Sequence, residues 1–220
     1  MPTLTTTGPV HVLDFGADEN RFSPAWLEEV HAQLDIVTAG KDPAALVTIG
    51  GGKYYSNGLD LEWLTSHPGE AGKYVASIHD LLARVLALPV PTVAAVNGHA
   101  FGGGAMLAMA HDFRLMREDR GYFCFPEADL NLPFSPGMAA LVQAKLTPAA
   151  AVASMTTGQR FGGPQAAALG LVDATESVEN LQAAAVERVA GLAGKDRGTL
   201  QAIKSTMFAP ALAALREPGE

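Results

Sequence analysis

Two rhythms of apolar positions run through the chain. In "VHVLDF", from Val10, apolar and polar residues alternate, which predicts a strand. "FSPAWLEEVHAQLDIV" then takes up a helical spacing. Leu27, Val30 and Leu34 fall on one face, Ser23 is placed to cap, and Pro24 suits the first turn. "AALVTIGGG" is a short buried strand ending in glycines, and "YYSNGLDLEWL" is a loop turning into a helix. A longer helix follows in "GKYVASIHDLLARVLAL", where Val75, Ile78, Leu82 and Val85 make one stripe. Pro89 and Pro91 stop it, and "TVAAV" is the next buried strand.

Beyond a glycine loop and a further helix, "DFRLM" and "YFCFPEADL" read as strands and "FSPGMAALVQAKL" as loop then helix. "TPAAAVASMTTG" and "PQAAALGLV" are short helical pieces, with Gly158 and Gly170 placed as C-terminal caps. From about Leu181 the chain is alanine-rich and helical. Strands alternating with helices give the α/β class.

The totals narrow the function. A chain of 220 residues, 48% hydrophobic and 17% charged, is long enough for one sizeable globular domain. Fifteen basic residues against 23 acidic ones leave a net charge of −8, which argues against a nucleic-acid or anionic-membrane partner. No run approaches the ~20 apolar residues of a membrane span. The N-terminus has no signal-peptide pattern, and "REPGE" carries no evident targeting signal. One cysteine, Cys124, cannot close an intrachain disulfide, which fits a reducing, cytoplasmic setting, and its apolar neighbours point to a buried, inert thiol.

The densest chemical signal is "VNGHAFGGGAML", Val96 to Leu107. Its glycines are not spaced as Gly-x-Gly-x-x-Gly, and Ala105 and Met106 stand where a Walker loop needs Lys and Ser or Thr. Two readings remain: a tight strand-to-helix turn, or a helix start whose bare N–H groups receive a developing oxyanion. His99 and His111 flank the loop and read as packing or capped polar groups. No group of His, Cys or acidic residues has metal-ligand spacing.

The segment "AAVNGHAFGGGAMLAMAHDFRLM" closely resembles the signature of the crotonase superfamily, the enoyl-CoA hydratase/isomerase family. Three more segments match it in order: "ALVTIGGGKYYSNGLDLEWL", "FCFPEADLNLPFSPGMAALV" and "TTGQRFGGPQAAALGLVD", together covering roughly residues 8 to 175. "KYYSNGLDLEW" and "CFPEADLNLPFSPGM" are most similar to the Δ3,Δ2-enoyl-CoA isomerase branch.

The resemblance implies a ClpP/crotonase-like spiral of ββα units over residues 1–180. A helical region, 181–220, would serve as lid and in assembly as a trimer or dimer of trimers. It implies an acyl-CoA thioester substrate, no metal, and no cofactor beyond the coenzyme A of the substrate. The N–H groups of Leu59 and Gly103 would form the oxyanion hole, and Glu127 would be the acid–base residue. Met106 stands where hydratases of the family carry a first glutamate. One remaining carboxylate suits movement of a double bond from 3-enoyl-CoA to trans-2-enoyl-CoA; hydration, or silent acyl-CoA binding, are the alternatives. Asp129 is the rival base, on the same face as Glu127 if the strand continues. Lys53 is by position a CoA phosphate or adenine-side contact, or else a solvated surface lysine; Lys204 resembles a family lysine near the CoA phosphates, and Met106 would border the substrate. Asp60 caps the next helix, and Tyr54, Tyr55 and Trp63 line an acyl pocket or pack.

Overall fold

The unbroken apolar runs become the middle of a parallel sheet. A computed structural model describes residues 1–217; the end of "REPGE", residues 218–220, lies outside the described residues. The strands are β1 (Thr3–Thr7), β2 (Val10–Asp14), β3 (Ala45–Ile49), β4 (Tyr54–Ser56), β5 (Thr92–Val96), β6 (His99–Phe101), β7 (Phe113–Arg117), β8 (Phe123–Cys124) and β9 (Ala174–Glu176). The helices are α1 (Pro24–Ala39), α2 (Leu61–Ser66), α3 (Ala71–Leu86), α4 (Gly103–Ala110), α5 (Glu127–Leu130), α6 (Pro136–Lys145), α7 (Pro148–Met155), α8 (Gly163–Leu169), α9 (Val178–Ala190), α10 (Arg197–Met207) and α11 (Ala209–Arg216).

A six-stranded sheet has the order β1-β2-β3-β5-β7-β9, antiparallel only between β1 and β2. Every residue of β3 and β5 is buried, because helices cover both faces. Alternate residues divide between two cores. Val10, Val12, Val47, Val93 and Leu115 meet Leu181, Ala185 and Val189 of α9. Leu13, Leu46, Ala94, Val96 and Met116 face the larger core shared with α1, α3 and α4. The 180/181 boundary thus falls inside a helix that closes one face of the sheet. The last helix, α11, packs on α6 and α3.

A second, small sheet has the order β4-β6-β8, all parallel. It decides where the chemistry sits. Each strand is two or three residues long, and each leads directly into one expected site segment: Asn57-Gly58-Leu59, Gly102-Gly103, and Pro126-Glu127. Parallel strands deliver their C-terminal ends to one edge, where open α/β sheets bind ligands.

The α1 expectation is met in detail: Ser23 accepts from the Trp26 N–H, with Pro24 as first helical residue. In α3 the stripe is Tyr74, Ile78, Leu82 and Val85, with Val75 only half-buried. Gly170 caps α8 at φ 78°, whereas the C-cap of α7 is Thr156, two residues before Gly158. "YFCFPEADL" departs from its expectation. Only Phe123–Cys124 is strand; Pro126 ends it, and Glu127–Leu130 forms one helical turn closed by Asn131 in the left-handed region.

Candidate active site

Backbone conformation builds the first half of the site. Gly58 has φ 76° and packs so tightly on the start of α4 that an added Cβ would stand 2.7 Å from the Gly103 nitrogen. The Leu59 and Gly103 amides are therefore neighbours. Gly103 is the first residue of α4, so its N–H has no acceptor one turn back. Gly102 lies at φ 50°, ψ −119°, a conformation that only glycine adopts without strain. The helix start adds positive potential at this point.

Residues 19–22, which the sequence motifs do not include, hold the first loop in place. Asn20, itself at φ 50°, donates to the carbonyls of Gly16, Tyr54 and Tyr55. Ser56 Oγ donates to the Asn20 carbonyl at 2.7 Å and accepts from the Gly58 N–H at 3.1 Å. The Asn57 N–H donates to Glu19, and the Phe22 N–H to Gly58. On the far side, Asp60 caps α2 by accepting from the Trp63 N–H, while its own N–H donates to the Tyr74 hydroxyl at 2.7 Å. The one sequence signal for Asn20 is its residue type, since asparagine tolerates the left-handed region.

Glu127 supplies the second half. A Cβ added at Gly102 would stand 3.2 Å from Glu127 Oε1, which puts the carboxylate at the mouth of α4. Oε2 is buried and accepts no hydrogen bond among the described residues. Burial pushes the Glu127 pKa up to about 7, against a smaller opposing pull from its own backbone N–H. A carboxyl group with that pKa can take and return a proton near neutrality.

Asp129 is not brought to this point. The helical turn replaces the strand that would have aligned the two acids, and Asp129 rests against the Gly158 backbone, where a Cβ would collide with its carboxylate. Met106 is buried in the first turn of α4 and belongs to the main core. Lys53 is exposed, with Nζ 5.3 Å from the centre of the Tyr54 ring. Tyr55 is core, its hydroxyl 2.8 Å from Thr48 Oγ1. Trp63 stacks on His67 and tilts against Tyr74 beside the Leu59 loop.

Lys204 lies elsewhere. It is buried, and it donates to Asp112 at 2.6 Å and to the Val90 carbonyl at 2.9 Å. Asp112 follows the far end of α4, about 12 Å of helix from Gly103. A lysine held there is not at the Gly103 mouth. An exposed-looking helix hid a partner 92 residues away.

The flanking residues behave as packing. His111 Nδ1 donates to the Leu107 carbonyl at 2.8 Å, so Nε2 accepts from Thr48 Oγ1 at 2.9 Å. Burial pushes its pKa down to about 3, keeping the ring neutral. His99 sits among Tyr54, Phe101 and Tyr122, its pKa lowered by burial and then by Lys53, Arg160 and Arg120. Cys124 is buried 3.3 Å from the Gly158 carbonyl, and burial raises its thiol to about 11.

Residues 12–218 match the family model described as enoyl-CoA hydratase/isomerase. The chain belongs to the enoyl-CoA hydratase/isomerase family. Enoyl-CoA delta isomerase 3 of Arabidopsis thaliana is 38% identical over 204 residues, 89% of this chain and 86% of that protein. Among solved structures, an enoyl-CoA hydratase from Mycobacterium ulcerans aligns with a TM-score of 0.91 at 26% identity, covering 99% of this chain and 95% of the other. An apo enoyl-CoA isomerase of Mycobacterium tuberculosis aligns at 0.90, also at 26% identity, over 98% and 94%. The fold is therefore the crotonase fold, and the family is one of enzymes.

Proposed function

We propose that the chain isomerises 3-enoyl-CoA to trans-2-enoyl-CoA. Glu127 removes a proton from C2, the electron pair moves through the conjugated system, and the same carboxyl group returns the proton at C4. The Leu59 and Gly103 N–H groups hold the thioester oxygen while it carries the negative charge of the dienolate. Each well-placed donor is worth ~3 kcal/mol in such a hole. No metal or redox cofactor enters this scheme.

The observation that carries the reading is half-buried Glu127 beside Gly102, its Oε2 buried without a partner and no second acid perturbing it among the described residues. Met106 occupies the position where a second glutamate would activate water, and its thioether keeps that turn apolar. The resemblance to Arabidopsis enoyl-CoA delta isomerase 3 supports the same choice. The family description, which spans both reactions, keeps single-glutamate hydration as the second reading.

Offering purified protein 2-enoyl-CoA and 3-enoyl-CoA in parallel separates the readings. Isomerisation much faster than hydration is expected. Fast hydration without isomerisation overturns the proposal, and tight binding without turnover of either substrate supports a silent binder. The family reading also carries assembly as a trimer or dimer of trimers; a stable monomer at micromolar concentration in light scattering counts against it.

A further inference from the structure

A cavity of about 620 Å³ opens at the far end of α4, beneath α10 and away from Glu127. Its volume is that of a small-molecule site. Leu192, Leu200, Ile203, Met207 and Phe208 form its wall, and Ile203 and Met207 stand exposed at its rim. Three lysines and two aspartates also line it.

These charges are not equally satisfied. Lys204 is paired with Asp112, which also accepts from the Thr92 N–H. Asp196 caps α10 by accepting from the Thr199 N–H, and Lys195 lies beside it in the chain. Lys145 is different. Its ammonium donates to the His111 carbonyl at 2.8 Å and lies 4.9 Å from the Phe208 ring centre, but it has no carboxylate within 4 Å among the described residues. Burial, and then Arg114, lower its pKa to about 8 against an upward pull from Asp112 and Asp173, so the ammonium is desolvated and has no carboxylate in contact.

An ammonium has three donors, and one is used. Three lysines against two aspartates leave the lining one net positive charge, which at the foot of an apolar wall complements a monoanion with an apolar tail. A phosphate dianion would want several cations, and a neutral lipid would leave the ammonium unanswered. We propose that this cleft binds the anion of a free, unbranched aliphatic carboxylic acid, its head on Lys145 Nζ and its chain along α10. The proposal does not depend on the reaction assigned to Glu127.

Calorimetric titration of the full-length protein with decanoate, below its micelle concentration, tests it, with decanol as the uncharged control. One saturable site is expected, with decanol at least tenfold weaker. Lys145→Met should weaken decanoate at least tenfold, and Lys145→Arg should stay within about threefold of wild type. Ile203→Trp, at the exposed rim, blocks the cleft without replacing the half-buried lysine, so it provides a second test if Lys145→Met fails to fold. Absence of saturable binding at ~1 mM, or unchanged affinity in either Lys145→Met or Ile203→Trp, overturns the proposal. So does a change in molecular mass by light scattering in Ile203→Glu, which would mean that a second copy of the chain fills the cleft.

Discussion

The two ends of α4 both hold buried titratable groups, yet they are built in opposite ways. At its C-terminal end, His111 bonds Leu107 and Thr48, Lys145 donates to the His111 carbonyl, and Lys204 is locked to Asp112. Cations gather where the helix dipole is negative. At its N-terminal end the Gly103 amide has no acceptor within the helix, and the carboxylate beside Gly102 has a buried oxygen without a partner. Burial is common to both ends; unspent hydrogen-bonding capacity marks the N-terminal one. His111, with the larger pKa shift, is structural because its partners are complete, whereas Glu127 is short of partners and free to exchange a proton.

The comparison breaks most visibly at Glu127. Glu127→Gln should lower turnover of 3-enoyl-CoA by ~10²-fold or more while acyl-CoA affinity stays nearly the same, measured by steady-state kinetics and calorimetry. His111→Leu should do the reverse. It strands the Leu107 carbonyl and the Thr48–Tyr55 pair, so chemical denaturation should show a loss of about 2–4 kcal/mol, with turnover per folded molecule within about threefold of wild type.

A smaller effect sharpens the contrast. The Glu127 pKa is raised in the folded state, from an ordinary 4.5 to about 7. The folded chain therefore holds this proton more tightly than the unfolded chain. Its contribution to stability is complete below pH 4.5 and is lost as pH rises through 7. Glu127→Gln should thus be more stable than wild type at pH 8, by on the order of 1–3 kcal/mol, and close to it at pH 4. Equal melting at pH 8 would mean that the carboxylate is not strained by its setting. The smallest effect is expected at Asp129: Asp129→Asn should keep turnover within about threefold. A dead Asp129→Asn enzyme would leave the fold and reaction standing and move the base.

Much of this was legible in the residues, for local reasons. Helices such as α1 carry their own cap and stripe, and β3 and β5 announce themselves as apolar runs. The segments holding Leu59, Gly103 and Glu127 are contiguous motifs. The sheet that gathers them was not legible, because strands of two or three residues, as in Phe123–Cys124, are too short to display a period. Thr3–Thr7 hides for another reason: it is a mostly exposed edge strand whose threonines carry no apolar alternation. Lys204 and Asn20 were out of reach because their roles depend on Asp112 and on Tyr54 and Tyr55, distant in the chain.

The central claim is that half-buried Glu127, with its Oε2 unpartnered, is the working base. The pH dependence of kcat/KM for 3-enoyl-CoA isomerisation tests it most directly, because that profile reports groups of the free enzyme. Since the base must be ionised, the rate should fall tenfold per unit below a limb near pH 7, the value to which burial raises Glu127. A rate that stays level down to about pH 4.5, the range of an ordinary solvated carboxylate, would contradict the account.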